Sequence, residues 1–254
     1  MKSKVVKKNK KMYKVKVSMK KFTDLLLVVL FLFSSINIFS QTNTHLFYGE
    51  SNNPRFRELA PSSTYWLTEQ SIPTLTNHTI HFMRVASCPL RDEKVIVTLA
   101  SDQTLKVTTW SATGGWGQPF TLRSGATPTN CRWFDVVYEQ QSGRCMVVYS
   151  TGNHFVAYRI FENGNWSSQQ TVYNYYTDPG QTNKKPLWLS LAAKPNSNEI
   201  VAVWMSENDR WGYAAVSIGS TLISTDTICG QDMTGDSVRE GFMVVYEHQS
   251  GQAV

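Results

Sequence analysis

The sequence predicts an all-β fold: a β-propeller of four-stranded antiparallel blades, with about three full blades, partial blades at both ends and an incomplete ring. Three observations predict it. A strand–turn–strand motif recurs, Trp133–Gly143 matching Gly241–Gly251 at eight of eleven positions. The intervening chain divides into units of roughly 50 residues, each with short apolar runs and an aromatic residue per hairpin, the signature of radially repeated sheets. After Gln41 no stretch sustains a helical period. A blade of this kind has two apolar faces and buries both only against neighbouring blades, which also protects its edges. A β-sandwich is the competing architecture, but it does not by itself call for repetition of whole four-strand units.

The first 40 residues are set apart by charge. They hold ten Lys and one acid, Asp24, for +9, whereas the whole chain is +6, so residues 41–254 carry −3. The basic balance belongs to the leader, and a nucleic-acid partner loses its electrostatic basis. A Lys-rich stretch precedes the apolar run Leu25–Phe33 and a polar segment ending at Ser40. That layout predicts a signal peptide over residues 1–40, since a membrane span needs about 20 apolar residues. Met19-Lys-Lys-Phe22 is an alternative start. The expected location is therefore secreted or cell-surface, with no membrane association after cleavage and an open oligomeric state.

Residues 41–254 form the repeat domain. Residues 43–80 hold a partial unit, Leu46–Glu50, Pro54–Leu59 and Trp66–Ile72, which parallels Val147–Ser150, Val156–Phe161 and Trp166–Val172. Arg57 then corresponds to Arg159, Trp66 to Trp166 and Gln70 to Gln170, and the unit lacks its first strand. The recurrence places Trp66 and Trp166 in core packing, and makes the recurring Arg57 and Arg159 blade-edge groups or partners between blades. Residues 82–122 are a complete unit, with a turn at Pro89–Asp92 and an alternating strand Leu105–Trp110. Residues 131–173 are the next. Its Asn163-Gly164 pair between apolar runs marks a hairpin that needs positive φ at both central positions. Residues 187–224 form a third unit around Lys194–Asn198, with Pro195 and Glu199 in the places of Pro89 and Glu93. Residues 239–254 begin another. The two chain ends could pair to close a four-bladed ring, but Gly251–Val254 already enters a second strand, which favours an open fragment of a longer array.

The motifs Val136–Gly143, Tyr158–Trp166 and Ala192–Ile200 resemble units of large secreted bacterial repeat proteins of β-propeller type. The resemblance covers about residues 43–254 and implies an exported or surface-displayed protein. Those proteins are mostly uncharacterised, and the resemblance brings no catalytic residues with it.

No nucleophile elbow, zinc-helix motif or phosphate loop is present. Ser111–Gly117 departs from the Asp-box of sialidases, with Thr113 in place of Asp, and Tyr158–Phe161 departs from their Arg motif. Asp135, Glu139, Glu207 and Asp209 are the acids a glycoside hydrolase would draw on. Glu139 recurs as Glu247, which points to a hydrogen-bonding role at the turn. Cys88, Cys131, Cys145 and Cys229 form no C-x-x-C pair and suit either disulfides in an exported chain or small apolar positions on strands, the latter preferred.

Asp226, Asp232 and Asp236 lie in a Gly-containing loop and are weak calcium candidates, since the spaced ligand pattern of a calcium loop is missing. No cofactor is expected. Tyr175, Tyr176 and Trp211 lie at turns outside the repeat pattern and form the expected binding surface. The function expected is a non-catalytic binding module for an extracellular glycan or protein. The alternatives are a sialidase-like glycoside hydrolase and a structural spacer in a longer surface protein.

Overall fold

A computed structural model of the chain describes residues 44–60, 64–73, 76–125, 130–152, 155–174, 185–207, 212–219, 221–229 and 242–254. Among them no helix occurs, and four antiparallel sheets follow one another along the chain. The first sheet contains β1 (His45–Glu50), β2 (Asn53–Glu58) and β3 (Gln70–Ser71). The second contains β4 (Ile80–Ser87), β5 (Glu93–Ala100), β6 (Leu105–Ser111), β7 (Gly115–Trp116) and β8 (Phe120–Arg123). The third contains β9 (Phe134–Tyr138), β10 (Cys145–Ser150), β11 (Phe155–Glu162), β12 (Asn165–Trp166) and β13 (Gln170–Asn174). The fourth contains β14 (Pro186–Ala193), β15 (Glu199–Ser206), β16 (Gly212–Ile218) and β17 (Thr221–Cys229).

Each sheet is a meander, as the turn chemistry demands. The outermost strand of the second and third sheets is broken: β7 and β8 both pair with β6, and β12 and β13 both pair with β11. The first sheet has three strands and no counterpart of β4, β9 or β14, as the repeat alignment anticipates. The opening strands lie side by side: β4 against β9, and β9 against β14. Three sheets whose first strands adjoin, with later strands directed outward, are blades of an incomplete propeller.

The third blade shows why the fold needs its neighbours. Its strand β10 is buried at all six positions. Val147 and Tyr149 pack with Val97, Leu105 and Val107 of the second blade, while Met146 and Val148 pack with Leu189, Ile200 and Ala202 of the fourth. A strand covered on both faces is apolar throughout rather than alternating, and Cys145-Met-Val-Val-Tyr-Ser150 is such a run. Cys88, Cys131 and Cys145 are free buried thiols, so the disulfide reading does not hold for them; the side chain of Cys229 lies outside the described residues.

The repeated motif takes one conformation in both copies. Glu139 N donates to Arg144 O and Gly143 N to Glu139 O; Glu247 N donates to Gln252 O and Gly251 N to Glu247 O. Gly143 and Gly251 sit at φ 68° and 65°. A Cβ at Gly143 would also stand 2.8 Å from Arg91 Nη1, because the second blade's turn closes over it. The Glu139 carboxylate is fully buried, accepts from Arg144 at 2.8 and 3.1 Å, and also takes the Ser142 hydroxyl. In the later copy Gln252 replaces Arg144 and Glu247 is exposed, so the backbone pattern recurs without the ion pair.

Among the described residues the chain ends do not pair. Val245 and Val254 bond each other through their backbones, and Tyr246 bridges to Ala253, so the terminal segment begins a sheet of its own. Its Phe242, Val244 and Tyr246 pack on Val201 and Val203 of the fourth blade.

A tyrosine–glutamate bond ties blades at the same place in both halves. Tyr138 Oη donates to Glu93 Oε1 at 3.1 Å, and Tyr246 Oη donates to Glu199 Oε1 at 2.8 Å. Burial, with Cys145 and Glu93 nearby, holds the Tyr138 phenol above its ordinary value of 10; burial and then Glu199 do the same for Tyr246. Burial likewise pushes the Cys131 thiol up to about 12 and raises Cys145 from an ordinary 9. All four groups hold their protons more tightly folded than unfolded. Folding stability is therefore intact below about pH 9 and falls as pH rises through the thiol and phenol range. A melting midpoint that is level to about pH 9 and drops beyond it is expected, with Tyr138→Phe removing part of the drop above about pH 10.

Candidate functional site

Blades that adjoin at their first strands diverge toward their outer ones, so open space collects at the rim between them. Between the third and fourth blades the inner zone is filled. Met146, Val148, Tyr158, Val172, Ile200, Ala202 and Ala215 leave a void of only about 10 Å³. Farther out, the same face of β11 borders a groove of about 500 Å³. Its lining is Tyr158, Ile160, Glu162, Asn165, Trp166, Ser167 and Gln170.

The strand register makes this set. Tyr158, Ile160 and Glu162 alternate along β11 and point to one face. Glu162 pairs with Asn165 across the Asn163-Gly164 turn, and Tyr158 pairs with Gln170 of β13. Asn163 and Gly164 have φ of 50° and 81°. Those are the two positive angles that the tight turn requires. The break between β12 and β13 brings Ser167 inward. Its hydroxyl accepts from Ile160 N at 2.9 Å and donates to Ser168 O at 2.9 Å. Gln170 Nε2 donates to Ser168 Oγ, and Asn165 Nδ2 donates to Asn163 O, so both amides are oriented by the turn. Glu162 is exposed and pairs with no cation among the described residues. Tyr158 is shared with the inner void and forms the floor, its phenol raised above its ordinary value by burial.

The opposite face of β11 serves the contact between blades. Arg159 lies over the Phe120 ring of the second blade at 5.3 Å, and its Nη1 donates to Ser167 O at 2.6 Å. Trp166 stacks on Phe120 at 6.2 Å and contacts Phe161 at 5.1 Å. The core expectation thus holds for Trp166 and fails for Trp66, which is 39% exposed. Trp166 has the preceding blade's Phe120 to lie on, and among the described residues no sheet offers Trp66 such a ring.

The second blade repeats the groove. Thr109 and Ser111 occupy on β6 the places of Ile160 and Glu162, and with Glu93, Trp110, Gly115, Gly117 and the third blade's Phe161 they line about 220 Å³. Its carboxylate differs in setting, because Glu93 already accepts from Tyr138 and from Arg91 at 3.0 Å.

Tyr175, Tyr176 and Trp211 lie outside the described residues, as do Asp209, Asp232 and Asp236. Asp226 is exposed on β17, and its Oδ1 accepts from Thr227 N at 2.7 Å. Among the described residues no group of three or more His, Cys, Asp or Glu could hold a metal ion. Asp135 sits on β9 among the first strands. Its Oδ1 accepts from Val136 N and its Oδ2 from Leu191 N, both at 3.0 Å, with Arg132 at 3.4 Å and Arg84 at 3.6 Å.

No family model matches the chain, and no curated protein matches it. Solved structures do resemble it. A variant of the Aleuria aurantia lectin in complex with Fucα1-6GlcNAc matches with TM-score 0.50 at 12% identity, covering 76% of this chain and 59% of that one. That lectin is a six-bladed β-propeller. The fold of this chain is that of a β-propeller. AofleA from Arthrobotrys oligospora matches the propeller with TM-score 0.46 at 12% identity, covering 83% of this chain and 63% of that one. The Hadza microbial sialidase Hz136 matches it with TM-score 0.48 at 6% identity, covering 79% of this chain and 45% of that one. The propeller chain spans less than two thirds of the length of each of these three proteins.

Proposed function

We propose that this protein is an exported, carbohydrate-binding β-propeller that binds without turnover. One observation carries the reading: the groove on the outer strands of the third blade, with an aromatic floor at Tyr158 and a rim of Glu162, Asn165, Ser167 and Gln170. Its volume of about 500 Å³ falls in the usual range of small-ligand sites. Sugar hydroxyls both donate and accept, and carboxamide, hydroxyl and carboxylate groups answer them. A lectin of the same fold in complex with Fucα1-6GlcNAc supports the reading, and the leader over residues 1–40 supports export.

Two of the acids weighed for hydrolysis, Asp135 and Glu139, favour binding over chemistry. Asp135 and Glu139 are buried and engaged by Arg132 and Arg144, so their oxygens are committed to partners within the fold rather than presented to a ligand. The test is binding of the purified protein to an array of immobilised glycans, followed by titration of the best ligand. The expected result is saturable binding, weakened about tenfold in the double variant Asn165→Ala, Gln170→Ala through the loss of two hydrogen-bonding groups. Silence across the array by a protein with native tryptophan fluorescence would overturn the proposal.

A further inference from the structure

We propose that the groove on the outer face of β11 selects neutral saccharides and rejects anionic ones. The inference rests on the reading above that this groove binds carbohydrate, and it concerns the charge of the sugar. Among the described lining residues one carries a formal charge, and it is negative: Glu162, exposed on the rim. The other polar groups, Asn165, Ser167 and Gln170, are neutral.

Recognition of a sialic acid, a uronate or a sulfated sugar calls for a guanidinium, an ammonium or converging backbone N–H groups. The cation nearest in sequence is Arg159, and the strand alternation turns it to the opposite face. There its Nη1 is bonded to Ser167 O and its guanidinium covers Phe120. A carboxylate or sulfate entering the groove therefore meets Glu162 with no compensating charge among the described lining residues. The equivalent groove on the second blade lacks this bias, because its carboxylate already has a cation beside it. Its lining carboxylate is Glu93, and the cation that reaches it, Arg91, also donates to Gly143 O at 2.8 Å.

A neutral sugar faces no such penalty and gains an acceptor. Two vicinal hydroxyls can donate to the carboxylate, a charge-assisted arrangement stronger than neutral pairs. Because Glu162 is exposed, solvent and salt moderate the discrimination, which sets its size at about tenfold rather than many decades.

The experiment compares matched pairs on the intact protein: a neutral oligosaccharide and the same oligosaccharide carrying a sialic acid, a uronate or a sulfate. Titrations run at low and at high salt, with the wild type and with Glu162→Gln. The expected result is about tenfold preference for the neutral member at low salt, narrowing as salt is raised. Glu162→Gln weakens the neutral member about threefold, an amide being the poorer acceptor, and strengthens the anionic member about threefold, so that the preference levels out. Equal or tighter binding of the anionic members overturns this inference and leaves the carbohydrate reading standing. A preference that Glu162→Gln does not change overturns the assignment of Glu162 as its origin. Binding of neither class overturns the carbohydrate reading, and this inference with it.

Discussion

Replacing Asp135 by Ala is expected to destabilise the protein by about 3–5 kcal/mol, the cost of removing one partner from a buried ion pair. The carboxylate stands where three blades converge. Arg84 reaches it from β4, Arg132 from the segment leading into β9, and the Leu191 amide from β14. Arg132 is itself buried, its Nη1 donating to Phe134 O at 3.0 Å and Leu189 O at 2.7 Å. Without Asp135 its buried positive charge is short of one carboxylate, and the Leu191 N–H loses its acceptor. Asp135→Asn separates the two effects, since it keeps an oxygen for Leu191 and removes only the charge, so its cost is the smaller. Urea unfolding followed by tryptophan fluorescence checks both. A cost for Asp135→Ala under about 1 kcal/mol, far below the range for a broken buried pair, would show that the inner strands hold together without it.

Trp204→Ala is expected to cost about 3–5 kcal/mol, the range for deleting a buried large aromatic ring. Trp204 lies on β15 with no exposed surface. Its ring stacks on Tyr213 of the same blade at 5.8 Å, and Tyr173 of the third blade approaches it at 5.7 Å. The deletion therefore opens a cavity between two blades, and the loss includes contacts that define their separation. Trp204→Phe refills most of the volume and is expected to cost less. The same unfolding measurement ranks the three proteins, and the groove supplies a second readout. Its floor residue Tyr158 belongs to the same cluster, so if the groove binds glycan as proposed, Trp204→Ala is expected to lower that affinity as well.

Much of the architecture was legible because repetition exposes it. The correspondence of Trp133–Gly143 with Gly241–Gly251 predicted a shared hairpin, and both copies have the same backbone bonds and the same positive φ at glycine. The correspondence of Arg57 with Arg159 predicted a residue at a blade edge or between blades, and Arg159 lies between blades over Phe120. Trp66 shows where repetition stops informing. Its place in the repeat is that of Trp166, but burial depends on what lies opposite, and a repeat position does not state that.

The groove was less legible still. Tyr158, Glu162, Asn165, Ser167 and Gln170 are ordinary strand and turn residues, and their alternation announces a face without saying whether it is covered. The residues singled out from turns, Tyr175, Tyr176 and Trp211, were chosen for being aromatic and outside the repeat, and they lie outside the described residues. A sharper signal was present in the register: Ile160 and Glu162 correspond to Thr109 and Ser111 across successive blades, and both pairs border open space.

By itself the sequence determined the local structure: strands from period-two apolar runs, turns from Asn-Gly and Ser-Gly pairs, and the number of units from their spacing. Those depend on interactions within a few residues, which a chain carries wherever it is read. Only the tertiary structure decided that neighbouring blades close tightly at Met146 and Val148 and part at Glu162 and Asn165. That follows from how three sheets pack around common inner strands, where the volumes and charges of residues a whole repeat apart meet for the first time.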